Sequence, residues 1–319
     1  MSRSLNLFFV AGLLACALPL AAQVKLRPAG NLTAEAVERL RLGEDTLAVL
    51  SYAVVNDSSA DTRFLTCKTL ITALVRALKV ESSFRYPFER LKNVSVLAPP
   101  DSSFRVFTWQ LFVNDSTYRH YGAIQMNSGP LQLFPLIDRR FEMQGLPTHE
   151  QLPPNRWYGA VYYNLIPFDT REGRKYLLFG FDGYSFFDKR KVLDVLSFDT
   201  KGQPLFGAPV FERAGKTGEH RVILEYSVEA KVRLNWDEQY KMILMDHLIA
   251  YPNAYTGGMM NVPDGSYDGF KLEKGRWKYV DKVFSDSQEE APRPNPVLDE
   301  KSRRNILGTT GKPKKNKER

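Results

Sequence analysis

Between Val94 and Phe284 the apolar side chains recur at every second position, in runs broken by turn residues. That period sets one face of an extended strand against a core. Within each meander the breaks are too short for crossover helices, so its successive strands are expected to run antiparallel. In the first run Phe107, Trp109, Leu111 and Val113 share one face, while Phe104, Val106 and Phe112 share the other. A strand apolar on both faces belongs in the middle of its sheet. Asn114-Asp115-Ser116 leads into a strand over Thr117–Met126, and Asn127-Ser128-Gly129-Pro130 into Leu131–Leu136. A second meander is predicted over Tyr158–Ile166, Lys175–Phe181 and Lys191–Phe198, and a third over Arg221–Tyr226, Lys231–Trp236 and Tyr240–Met245. Arg276–Val283 reads as a closing strand. The meanders share no residue signature, which argues against a regular propeller or solenoid.

Upstream the period changes to three and four, so residues 23–90 read as a helical section. Thr33 caps a short helix that ends at Leu42, with Gly43 as the break; Glu44–Val55 forms a second helix. Asn56-Asp57-Ser58-Ser59 is a turn that caps a third helix over residues 60–79. On its apolar stripe lie Phe64, Cys67, Ile71, Leu74 and Leu78, which makes Cys67 a buried structural thiol. The expected fold is mainly β (α+β): a helical section, 23–90, packed as one unit on antiparallel β meanders, 91–284. A polar, proline-containing tail, 285–319, is expected to be disordered.

The first 22 residues hold Arg3, an apolar run and small residues before Gln23, the pattern of a secretory signal peptide. A membrane anchor and a lipoprotein modified at Cys16 are the alternatives. Cleavage after Ala22 leaves Cys67 as the only cysteine, so an ordinary core must hold the chain. No later stretch is long and apolar enough to span a bilayer as a helix. The formal charge is +8, yet Arg3 is the only charged residue in 1–22 and segment 301–319 sums to +7, leaving 23–300 neutral. The basicity is therefore a property of the tail. That tail can reach an envelope protein, a glycan or an anionic lipid surface, and the neutral body gives no reason to expect nucleic acid.

No Gly-x-Ser-x-Gly elbow, zinc-binding His-Glu-x-x-His, phosphate loop or dinucleotide fingerprint occurs. No catalytic residue, cofactor or metal is assigned. Three weaker features remain. Asp264, Tyr267 and Asp268 lie among glycine turns in Asn261–Gly269, but the loop lacks the spacing of a calcium motif. Asp182 and Tyr184 lie at a strand end, with Asp188 close by; paired carboxylates there would suit glycoside hydrolysis. Asp246-His247 reads as a charged dipeptide leaving a sheet. The candidate ligand-binding residues are accordingly Asp182, Tyr184, Asp264, Tyr267 and Asp268. Most aromatics alternate as core residues do; Tyr162, Tyr184, Tyr255 and Tyr267 are the candidates for an exposed platform.

The stretch Phe104-Arg105-Val106-Phe107-Thr108-Trp109-Gln110-Leu111, with Tyr121-Gly122-Ala123-Ile124-Gln125, resembles uncharacterised exported proteins of Bacteroidota. Leu178–Gly183, Val192–Phe198, Phe206–Phe211 and Val262–Phe270 fit the same pattern. The resemblance implies export in a Gram-negative cell and brings no activity with it. The expectation is an exported, non-enzymatic envelope protein, periplasmic or outer-membrane-associated, with a binding or structural role; extracellular release is the other destination. The alternative is a glycan-acting hydrolase that uses Asp182, Asp188, Asp264 or Asp268.

Overall fold

The computed structural model describes residues 29–114, 117–213, 215–253 and 257–284. The segment 1–22 read as a signal peptide, with Cys16, the tail 285–319 and Tyr255 lie outside the described residues.

Two helices come first, α1 (Ala34–Asn56) and α2 (Ala60–Leu78). The Thr33 hydroxyl accepts from Ala36 N at 3.1 Å and the Ser59 hydroxyl from Thr62 N at 3.4 Å, so both predicted caps form. Gly43 does not break the chain; α1 runs through it. A Cβ placed on Gly43 would stand 3.7 Å from the Ala77 Cβ, so the glycine sits where the two helices pack and tertiary contact overrides its low propensity. Four strands follow, β1 (Ser95–Leu97), β2 (Phe104–Asn114), β3 (Thr117–Met126) and β4 (Leu133–Ile137), forming an antiparallel sheet in chain order.

The chain continues through β5 (Val161–Thr170), β6 (Gly173–Asp182), β7 (Asp188–Phe198), β8 (Pro204–Phe206), β9 (Phe211–Arg213) and β10 (Lys216–Glu219). It ends with β11 (Val222–Ser227), β12 (Leu234–Asp237), β13 (Met242–Pro252), β14 (Met259–Glu273) and β15 (Arg276–Val280). The second sheet has the order β11-β7-β6-β5, with β8 also paired to β7; the third runs β10-β9-β15-β14-β13-β12. Only β9 and β15 pair in parallel among the described strands. The expected third meander is therefore not one unit: β11 pairs with β7, while β12 and β13 belong to the third sheet. The segment read as glycine turns, Asn261–Gly269, lies inside β14, the longest strand described. Its alternation is hidden because polar residues occupy both faces where the β13–β14 hairpin is exposed.

The strand faces stack these pieces into four layers. Phe107, Trp109 and Leu111 of β2 pack under Leu47, Val54, Cys67 and Leu74 of the helices. Phe104 and Val106, on the opposite face of β2, meet Leu178, Val192 and Leu196 of the second sheet. The other face of that sheet, with Leu177, Phe179 and Val195, meets Ile243, Phe270 and Trp277 of the third. Cys67 is buried, its Sγ 3.4 Å from Trp109 Nε1, and burial raises its pKa, as expected of a structural thiol. Trp109, Trp157 and Trp277 are core residues, and so is Tyr162, which cannot serve as an exposed platform.

Two buried cations tie layers together. Arg221 pairs with Asp194 at 3.3 Å and donates to the carbonyls of Pro147, Glu150 and Phe206, fixing the 147–152 connection against the second sheet. Arg105 donates to Gln125 Oε1 and to the carbonyls of Tyr86 and Ser83, with Phe88 and Phe107 against its guanidinium. Removing either would strand several buried acceptors. No described helix is long and apolar enough to cross a membrane.

Candidate functional site

The core between the first and second sheets changes character at one end. Along β3 the inward positions run Ile124, Gly122, His120; along β4 and the residue after it, Leu136, Asp138; along β6, Leu178, Gly180, Asp182; along β7, Leu196, Asp194, Val192, Arg190. Period-two geometry thus brings His120, Asp138, Asp182 and Arg190 to one end of a shared interior. Asp182 and Arg190 face each other in register on β6 and β7.

A 3₁₀ turn, Arg140–Glu142, adds the remaining cation. Arg140 donates through Nη1 to Asp182 Oδ1 and through Nη2 to the Tyr118 carbonyl. Tyr158 Oη donates to Asp182 Oδ2 at 3.3 Å, and Arg190 Nη1 donates to Tyr158 Oη at 3.1 Å. Arg190 also pairs with Glu225 at 2.6 Å. The His120 ring lies between two carboxylates, Nδ1 3.5 Å from Asp138 and Nε2 3.8 Å from Asp182, and neither nitrogen has a hydrogen-bond partner. Arg140 Nε is likewise buried and unpartnered. Burial raises the Tyr158 pKa far above its ordinary value, with the Asp182 charge adding to it, so the phenol keeps its proton.

Above this ionic layer lies a cavity of about 370 Å³, within the size range of small-ligand sites. Its polar lining is Arg140, Tyr158, Tyr184, Ser185 and Arg190. Phe141, Met143 and Leu146 supply an apolar wall. The lining contains no carboxylate. Tyr184 is held at φ 44°, an unusual region for a bulky side chain; its N–H donates to Asp182 Oδ1 at 2.8 Å, and its ring lies 3.3 Å from Arg190 Cζ. Asp182 therefore acts beneath the site. It has no exposed surface and orients Arg140, Tyr158 and Tyr184.

The other three predicted residues lie on the third sheet and do not join this cavity. Asp264 is exposed and accepts from Ser266 N and Oγ at 2.9 and 2.7 Å, closing a local turn. Tyr267 sits on the opposite face of β14 from Asp268, its ring centroid 5.8 Å from that of Phe284. Asp268 is buried and meets His247 Nδ1 at 2.9 Å. Arg140, Tyr158 and Arg190 escaped sequence reasoning, although Arg190 carried a signal: it continues the inward register of Val192 and Leu196.

A further cavity of about 290 Å³ lies between α2 and the uncovered face of β3 and β4, lined by Ile71, Leu74, Leu78, Leu133 and Pro135 among others. It continues the apolar helix–sheet core. No family model, curated protein or solved structure matches the chain.

Proposed function

We propose that the chain is an exported, non-enzymatic binding protein of a Gram-negative envelope, and that its cavity takes the acidic group of a glycan. The observation that carries this reading is the lining: two guanidinium groups, two phenols and a hydroxyl, with no carboxylate. Guanidinium offers only donors, in a planar fork that matches carboxylate or sulfate oxygens. The Phe141–Met143–Leu146 wall suits the apolar face of a sugar ring.

The hydrolase alternative needs two free carboxylates across one cavity. Asp182 is wholly committed to Arg140, Tyr158 and Tyr184; Asp188, the first residue of β7, does not line the cavity; and Asp264 and Asp268 belong to another sheet. Calorimetric titration of the full chain with a uronic-acid oligosaccharide tests the binding reading. Arg190→Gln keeps a polar side chain beside Glu225 and is expected to weaken binding about tenfold, the scale of one charge-assisted contact. Equal affinity in the variant counts against it.

The basic segment 301–319 supplies a second, screened attraction to an anionic surface. Deleting it is expected to shift the protein from envelope to soluble fractions, with the difference vanishing at high salt. Unchanged fractionation removes the tether from the account.

A further inference from the structure

The second β–β interior also ends in polar rungs, and these have the chemistry of a metal site. On β13 the core-facing positions run Ile243, Met245, His247; on β14, Phe270, Asp268; on β15 and the residue after it, Trp277, Tyr279, Asp281. Three adjacent strands thus place one imidazole and two carboxylates at the same end of one face. One ligand atom from each of His247, Asp268 and Asp281 lies within 4.8 Å of the other two.

A bulge makes this possible. Asp246 faces Tyr267 and Leu248 faces Pro263, so His247 alone is opposite three residues of β14, Asp264 to Ser266. Gly265, at φ 91°, turns that excess out of the ladder. A bulge re-aims side chains next to it, and His247 Nδ1 consequently meets Asp268 Oδ2 at 2.9 Å. Asp268 Oδ2 also accepts from Tyr279 Oη, while its Oδ1 accepts from Lys282 N at 3.2 Å. These contacts orient a carboxylate that is only 7% exposed, next to the exposed Asp281.

We propose that His247, Asp268 and Asp281 bind a divalent transition-metal ion of the zinc class, with water completing its coordination. One nitrogen with two carboxylate oxygens suits zinc, whereas calcium and magnesium favour all-oxygen shells of higher number or stricter geometry. Two neighbouring carboxylates and a neutral imidazole match a double positive charge, and the Tyr279 and Lys282 hydrogen bonds provide the outer support that metal-binding carboxylates require. The proposal is independent of the arginine cavity, because its residues belong to a different interior.

The test is calorimetric titration of the chelator-stripped full chain with zinc chloride, with calcium and magnesium chloride run in parallel. One saturable zinc site per chain is expected, with no comparable binding of calcium or magnesium. His247→Ala should abolish it. Asp281→Asn, at an exposed position where folding is not at stake, should weaken it about tenfold or more. His149→Ala should leave it intact, since an adventitious site at the neighbouring imidazoles His149 and His220 would be lost with it. Absence of a single saturable site in the wild-type chain overturns the proposal. So does zinc binding that survives both His247→Ala and Asp281→Asn, or that disappears with His149→Ala.

Discussion

At the scale of single residues, the ionic layer beneath the cavity includes one carboxylate, Asp138, that is kept charged in a largely buried setting. Asp138 shows the balance. Burial pushes its pKa up, but the close approach of His120, with its backbone N–H donating, and the charge of Arg140 outweigh that, and the group lies below its ordinary value. Its oxygens accept from His120 N at 3.0 Å and Arg140 N at 3.2 Å. The neighbouring Gly159, at φ 88°, leaves no room for a side chain: a Cβ there would lie 2.7 Å from the Asp138 Cγ. A depressed native pKa means that the stabilisation is fully present above the unfolded value of about 3.9. It is lost as the pH falls through the lower native value. Urea melts should therefore show the wild-type protein losing stability faster than Asp138→Asn between about pH 5 and pH 3. The variant should be the weaker of the two at neutral pH. Parallel acid limbs would show that Asp138 is not a source of the pH dependence.

At the scale of elements, Gly43 separates local from tertiary reasoning. Local propensity reads it as a helix end, yet α1 passes through it because the helix packs against α2 at Ala77. The open 3.7 Å contact has a consequence: Gly43→Ala should fit without displacement and stabilise the protein by about 0.5–1 kcal/mol through helix propensity. A thermal melt checks this, and a lowered melting temperature would mean that the helices approach too closely for a methyl group. The strands divide in a similar way. Those with a clean apolar period, β2, β3, β6 and β7, were legible within a few residues. The β14 strand was not, because Asp264, Gly265, Ser266 and Asp268 carry turn chemistry in a bulged segment. Its pairing with β13 decides its conformation, and no window of β14 alone contains that information.

At the scale of the molecule, four layers were only half visible in the chain. The two-faced strand Phe104–Asn114 announced that a sheet would be covered on both sides, by helices and by a second sheet. Nothing local announced that β11 would leave its sequence neighbours for β7, or that β15 and β9 would pair in parallel, since both depend on distant partners. The candidate site follows the same division. Asp182 and Tyr184 were found through a strand-end motif, whereas Arg140 reaches them from a connection 42 residues away. Two interiors that each end in charged rungs give the stack two chemically distinct ends, one lined by arginines and phenols and one by two carboxylates and an imidazole.

The arginine-lined cavity is proposed to recognise an acidic group on a glycan. The most direct test of that proposal is to titrate the full wild-type chain with the same uronic-acid oligosaccharide in two forms, free acid and methyl ester. Saturable binding of the acid is expected, with a loss of affinity of about tenfold or more for the ester, because esterification removes the charge that the two guanidinium groups would meet. Equal affinity for the two forms, or no binding of either, would contradict it.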